Sequence, residues 1–133
     1  MERKAVTLWE VDIHPAANQH DRRADTLMQD AADLGLAPNL VAQSAFGYLL
    51  QGKISEGDAA RLANELFADP VIETPVWGPV GSAALQRPPG GLERCDADVL
   101  VHVLPKPGVT DPVAQSALGA IQAMGIEAEE VLP

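Results

Sequence analysis

Basic side chains, cysteine and aromatic residues are all scarce in this sequence of 133 residues. Nine Lys and Arg stand against nineteen Asp and Glu, for a formal net charge of −10. This acidity argues against nucleic acid or an anionic membrane as a partner, because both are bound through clustered cations. Cys95 is the one cysteine, so neither an internal disulfide nor a cysteine-based zinc cluster can form. That usage is typical of a reducing compartment, and we expect a cytoplasmic protein.

Long apolar runs are also missing. The longest uncharged stretch, residues 34–52, contains a proline and three glycines, and it is too polar and too broken for a membrane helix. The start of the chain lacks the apolar segment of a signal peptide. Hydrophobic residues still make up 47% of the chain, enough for the core of one domain or of two very small ones.

Hydrophobic periodicity predicts strands alternating with helices. Residues that alternate between apolar and polar predict strands near 5–13, 40–50, 71–77 and 98–104, with a further extended segment at 126–131. Pro75 places the third strand at a sheet edge, since proline cannot donate to a ladder. Apolar stripes at helical spacing predict helices that follow the capping residues Asp21, Ser55 and Asp111. The expected fold class is therefore α+β, with a mostly antiparallel sheet and helices on one face.

The same stripes predict two packed clusters. On the first strand, Glu10 and Asp12 lie on the face opposite the apolar residues. The expected clusters join strand to helix: Trp9, Val11 and Ile13 with Leu27, Met28 and Ala31, and Val101 and Val103 with Leu118 and Ile121.

Glycine and proline mark one internal boundary. They occupy seven of the fourteen positions from 78 to 91, a composition typical of a linker. We expect one unit at 1–77, a linker at 78–97 and a second unit at 98–133.

The two units resemble each other in sequence. Residues 8–15 align with 100–107 at an offset of 92, and the following helical stripe aligns at an offset of 90. Asp21 then matches Asp111, and Gly35 matches Gly125. These aligned helix-start and helix-end residues favour an internal duplication.

The second copy lacks the later elements of the first. Copy one continues after Val41 with a strand, a helix and another strand, whereas copy two ends at Pro133. We therefore expect an incomplete second unit. Its strand near Val131 would lack its neighbours, and the open sheet edge would promote self-association.

No established catalytic motif is present: the sequence has no phosphate-binding loop, dinucleotide fingerprint, zinc-protease motif or nucleophile elbow. His14 and His20 share one loop, and a metal bound with Asp21 is conceivable, but their spacing is unspecific. His102 is expected to face a partner, and Cys95 is expected to be an ordinary free thiol.

The turn Lys106-Pro107-Gly108 precedes a helix N-terminus, an arrangement that can bind phosphate. The carboxylate of Asp111 would, however, occupy the same backbone donors and repel an anion. These residues alone predict no active site.

One segment carries a family resemblance. The run Lys106, Pro107, Gly108, Val109, Thr110, Asp111 and Pro112, within residues 103–126, resembles phosphoribosylformylglycinamidine synthase. The similarity is to the PurS-like N-terminal domain of its large subunit and to the free-standing PurS subunit. Residues 8–15, 46–52 and 66–73 are also similar to that domain.

The resemblance implies a non-catalytic assembly element of a carbon–nitrogen ligase in purine biosynthesis. That enzyme converts formylglycinamide ribonucleotide to the amidine with ATP, magnesium and ammonia from glutamine. It implies two PurS-like halves that mimic a PurS dimer, and a synthetase region and a glutaminase as partners. Nucleotide and metal sites would lie in the synthetase region, so no catalytic, cofactor or metal residue is expected here. The family continues past the position of Val131 with a basic, aromatic-containing strand, so we expect a truncated product or fragment.

Two other functions remain open. The first is a ferredoxin-like regulatory module that binds a small ligand and dimerises through strand edges. The second is an autonomous PurS-like subunit that acts in trans.

Overall fold

The computed structural model describes residues 7–86, 99–109 and 111–133. It confirms the α+β class, with an open antiparallel sheet of four strands and three α-helices. The strands are β1 (Thr7–Pro15), β2 (Phe46–Lys53), β3 (Glu73–Pro79) and β4 (Glu127–Leu132). The helices are α1 (Arg22–Asp33), α2 (Glu56–Arg61), which continues as a π-helical turn (Leu62–Phe67), and α3 (Pro112–Ala123).

The strand order is β3-β1-β2-β4, and all three pairings are antiparallel. Trp9 lies opposite Leu50 of β2 and Pro79 of β3, and Leu50 lies opposite Val131 of β4. The β2–β4 register shifts at a bulge between Gln51 and Gly52. β4 therefore joins the sheet beside β2, and β3, with its prolines, forms the opposite edge as predicted.

The helices begin and end where the capping residues predict. Asp21 and Asp111 each accept a hydrogen bond from the backbone N–H three residues later, at 3.0 Å and 3.2 Å. Gly35 and Gly125 follow α1 and α3 with φ values of +69° and +81°, a conformation that favours glycine. Ser55 forms a complete capping box with Asp58 at the start of α2.

The core lies on one face of the sheet. Trp9, Val11 and Ile13 of β1 face it, as their alternation predicts, and α2, the π-helical turn and α3 cover them. Leu62 and Ile121 are fully buried there. The indole Nε1 of Trp9 donates to the Ile54 carbonyl at 3.0 Å, which ties β1 to the start of α2.

The predicted packing of α1 is wrong. Leu27 is 54% exposed, and Met28 and Ala31 are half-buried but lie outside the core cluster. Ala24 is the only buried residue of α1. The cause is competition for one surface: α2, the π-helical turn and α3 already fill the face that Trp9, Val11 and Ile13 present.

The strand predicted at 98–104 is also wrong over the residues that the structure describes, 99–104, which form no ladder. Val101 and Val103 are 72% and 89% exposed, so they do not pack on Leu118 and Ile121. Those two helix residues instead join the shared core beside Val131. β4 pairs along one edge with β2, which comes from the earlier part of the chain, and no described strand pairs with its other edge.

Two further boundaries differ from the sequence prediction. The second strand begins at Phe46 rather than near residue 40, and it runs through Gly52 and Lys53. Gly78 and Pro79, where the predicted linker starts, belong to β3, and Ala83–Gln86 form a 3₁₀ turn. Residues 87–97, which include Cys95, lie outside the described part of the chain.

Candidate functional site

The turn that carries the family resemblance lies on the surface. The Val109 N–H donates to the Lys106 carbonyl at 3.2 Å, and Gly108 has a φ of +84°. Thr110 lies outside the described residues. Asp111 accepts from the backbone N–H groups of Val113 and Ala114. These donors at the start of α3 are therefore occupied, which argues against phosphate binding at this turn.

The three histidines occupy separate environments. His20 pairs with Asp25 at 2.6 Å on the surface. His14 is half-buried, and burial lowers the pKa of its imidazole although Asp21 opposes the shift. His102 is exposed in the unpaired segment after residue 98. The structure therefore does not bring these side chains together, and no group of three metal-ligating side chains is found within the described residues.

Asp21 has a structural role that its sequence position only partly indicates. Besides capping α1, its carboxylate accepts from the Ser44 N–H at 2.7 Å and from the Ser44 hydroxyl at 2.6 Å. Burial alone would raise the pKa of this carboxyl, but the hydrogen bonds from Ser44 and Ala24 outweigh burial and hold it below its usual value. Asp21 therefore fastens the start of α1 to the loop before β2.

A buried acidic pair lies on the sheet face opposite the core. Glu10 is only 7% exposed, and its Oε2 atom has no hydrogen-bond partner in the part of the chain that the structure describes. The pKa of the neighbouring Asp12 is raised from 3.8 to about 7, mainly by burial, and a hydrogen bond with Glu10 and the negative charge of Glu10 act in the same direction. Asp12 therefore takes up or releases a proton near neutral pH.

The sequence analysis did not predict this burial. On one side of each carboxylate the facing residue is a glycine: Gly78 lies opposite Glu10, and Gly47 lies opposite Asp12. On the other side, Leu49 lies opposite Glu10 and Val76 lies opposite Asp12. The segment after β3 covers the gap: the Val80 N–H donates to the Leu8 carbonyl, and the Ser82 hydroxyl occupies space that a Cβ on Gly78 would need. Two glycines across from two carboxylates are the signal that could have indicated it.

An open groove of about 380 Å³ lies beside the start of α1. Its polar lining carries charges of both signs and comes from Gln19, His20, Asp21, Arg22, Arg23, Ser44 and Glu73. Its floor is aromatic: Tyr48 stacks on Phe67 with ring centroids 4.3 Å apart, Phe46 meets Tyr48 edge-on, and the Arg23 guanidinium lies 4.7 Å above the Phe46 ring. Such a groove can bind a small planar or anionic molecule.

Two aliphatic surfaces are left uncovered. The first is the α1 face, formed by Leu27, Leu34 and Leu36. The second is the free segment, residues 99–104, in which Val99, Leu100, Val101, Val103 and Leu104 are all exposed. Exposed apolar side chains in this number are typical of a surface that binds another protein.

None of the described helices is both long and apolar enough to cross a membrane. No family model, curated protein or solved structure matches this chain. Functional inference therefore rests on the residues and surfaces described above.

Proposed function

We propose that this chain is a non-catalytic assembly domain of phosphoribosylformylglycinamidine synthase, of the PurS-like type. In this proposal it acts in the cytoplasm and binds the synthetase region and the glutaminase of that enzyme. ATP, magnesium and formylglycinamide ribonucleotide bind to the synthetase region, and the present chain contributes contacts rather than chemistry. The resemblance of residues 106–112, 8–15, 46–52 and 66–73 to that family motivates the proposal.

The α1 face is the observation that supports this role best. α1 is a regular helix with a capped start and a glycine stop, and yet Leu27 is 54% exposed and Leu34 is 73% exposed. A helix that exposes its apolar stripe gains stability when a partner covers it. An assembly domain needs such a face, whereas a self-sufficient enzyme domain would bury it.

A reconstitution assay tests the proposal. The full chain is added to a synthetase region that lacks its own PurS-like domain, together with the glutaminase, glutamine, ATP, magnesium and formylglycinamide ribonucleotide. We expect the chain alone to form no amidine, and we expect its addition to raise glutamine-dependent amidine formation by the other two components. Amidine formation by the chain alone would contradict the non-catalytic role.

Two substitutions locate the contact. Leu27→Glu with Leu34→Glu places charges in the α1 face, so binding to the synthetase region should be lost. Ala32→Glu adds one charge to the exposed side of α1 away from the stripe and serves as the matched control. Equal binding by all variants would mean that the α1 face is not the docking surface.

The groove beside α1 supports a second function, the small-ligand regulatory module. Its Arg22, Arg23 and stacked aromatic rings fit a planar anion. A thermal-shift screen with nucleotides and amino acids tests this function. A ligand that stabilises the wild-type chain and fails to stabilise Tyr48→Ala would favour regulation over assembly.

A further inference from the structure

The outer edge of β4 pairs with no strand among the described residues, and it is suited to accept one. β4 is the last strand in the order β3-β1-β2-β4, and it contains no proline. β3, at the opposite edge, contains Pro75 and Pro79, which leave gaps in a row of backbone donors and so discourage pairing. The Gln122 amide donates to the Ala128 carbonyl at 3.4 Å. The stretch available for pairing is therefore 129–132.

The chemistry of that edge excludes a second β4 strand. β4 carries Glu127, Glu129 and Glu130, all exposed. Pairing two β4 edges would bring these glutamates together across a ladder, where like charges repel. A suitable strand must be free of acidic residues. It should be apolar where it lies beside Val131 and Leu132, and preferably basic where it lies beside Glu130.

The free segment meets these requirements. It has no acidic residue, five of its six residues are aliphatic, and His102 is its one polar residue; the basic Lys106 lies two residues beyond its end. Its valines alternate with Leu100, His102 and Leu104, as in a strand, and yet it pairs with nothing in its own chain among the described residues.

We propose that the free segment of one chain pairs antiparallel with the outer edge of β4 in a second copy, and that the second copy returns the same contact. Val101 then lies beside Val131 on the core face, and His102 beside Glu130 on the other face. Leu100 covers Leu132, which is 43% exposed in the single chain. This inference deepens the proposed assembly role and rests on it.

Two features fix this register. A shift by one residue would turn Val101 and Val103 away from the core face, because side chains alternate along a strand. A shift by two would place His102 beside Leu132 or Ala128 instead of Glu130. The reciprocal contact closes a two-fold dimer, in which each copy gives one strand and receives one.

Sedimentation equilibrium of the full chain over a wide range of concentration tests self-association. We expect a reversible dimer at twice the chain mass of 14.0 kDa. Val101→Pro removes a backbone donor from a segment that forms no ladder in the single chain, so the fold should persist while the dimer Kd rises at least about tenfold. Val41→Pro, in another exposed loop, is the matched control and should leave the dimer intact. A wild-type monomer at every concentration, or a dimer unaffected by Val101→Pro, would overturn the proposal.

A charge exchange tests the register. His102→Glu should weaken the dimer, and adding Glu130→Lys to the same chain should restore it. Weakening without restoration would overturn the pairing of these two residues.

Crosslinking tests which chain supplies the strand. In a Cys95→Ser background, one chain carries Leu100→Cys and another carries Leu132→Cys. A disulfide between the mixed chains is expected. A chain that carries both cysteines and closes them within a monomer would overturn pairing with a second copy. None of these measurements contains the synthetase region, so their failure leaves the reconstitution assay to decide the proposed function separately.

Discussion

α1 and α3 are two helices with matching local signals and opposite surroundings. Each has twelve residues, an aspartate at its N-cap and a glycine with positive φ just after its end. α3 buries Ala114 and Ile121 in the shared core, whereas α1 buries only Ala24. The segments that precede the two helices show the opposite pattern. β1, before the exposed α1, is a central strand with a buried apolar face, whereas the free segment, before the buried α3, is exposed.

The contrast distinguishes helix ends, which nearby residues determine, from helix burial, which packing on the sheet determines. Caps and glycines determine where a helix begins and ends, and they act over a single turn. Burial depends on which surface remains uncovered once the other elements have packed. α2 and α3 cover the face that α1 would have needed, so an identical local signal leads to an exposed helix.

The largest effect is expected where β4 pairs with β2. A Cβ on Gly52 would lie 2.9 Å from the Ala128 Cα, and the glycine has a φ of +153°. Gly52→Ala should therefore separate β4 from β2 and cost about 4 kcal/mol or more in free energy of unfolding, measured by urea denaturation. Gly119→Ala, in an open position of α3, is the control and should gain up to about 1 kcal/mol. A small cost for Gly52→Ala would show that the β2–β4 seam can relax.

The two apolar stripes should differ next. Ile121→Ala removes a fully buried side chain and should cost about 3 kcal/mol. Leu27→Ala changes an exposed side chain that lies outside the core cluster, so it should cost less than about 0.5 kcal/mol. Similar losses in thermal melts of the two variants would show that α1 is buried in solution and would remove the contrast.

The two N-caps should differ less. Asp21→Ala removes the cap of α1 and both hydrogen bonds to Ser44, and it should cost about 2 kcal/mol. Asp111→Ala removes a cap alone and should cost about 1 kcal/mol. Adding Ser44→Ala should change little in the Asp21→Ala background. Additive losses in that double mutant would mean that Ser44 is independent of the cap.

The acidic pair gives the most selective effect, because that effect depends on pH. Folded Asp12 keeps its proton up to about pH 7, whereas the unfolded carboxyl releases it near 3.8. This group therefore favours the folded state less and less as pH rises from 4 to 7, and it adds no further change above that range. Because Asp12 retains contact with solvent, we expect a loss of roughly 1–2 kcal/mol rather than the full linkage value.

Asp12→Asn should remove that slope and melt above wild type at pH 8. Asp30→Asn, on exposed α1, is the control and should keep the wild-type slope. Parallel melting-temperature profiles for wild type and Asp12→Asn between pH 4 and 8 would contradict a raised pKa.

Sequence patterns predicted the α+β class, the N-caps of all three helices, the alternation of β1 and the edge position of β3. These features depend on neighbouring residues. Sequence patterns did not predict the exposure of Leu27, because burial depends on which surface other elements leave uncovered. They also did not predict the unpaired state of residues 99–104, because a strand needs a vacant sheet edge as well as an alternating pattern. They also placed Glu10 on an open face, since its cover comes from Ser82, far along the chain.

The positions of the two tryptophans allow unfolding of the sheet to be followed by fluorescence spectroscopy. Trp9 and Trp77 lie on the neighbouring strands β1 and β3, and the indole of Trp9 is buried and hydrogen-bonded. Fluorescence emission therefore reports most directly on the seam between these strands, whereas far-ultraviolet ellipticity is dominated by the helices. Coincident transitions in the two signals would mean that the helices and the β1–β3 seam unfold as one cooperative body, and a gap between them would measure how independently α1 melts.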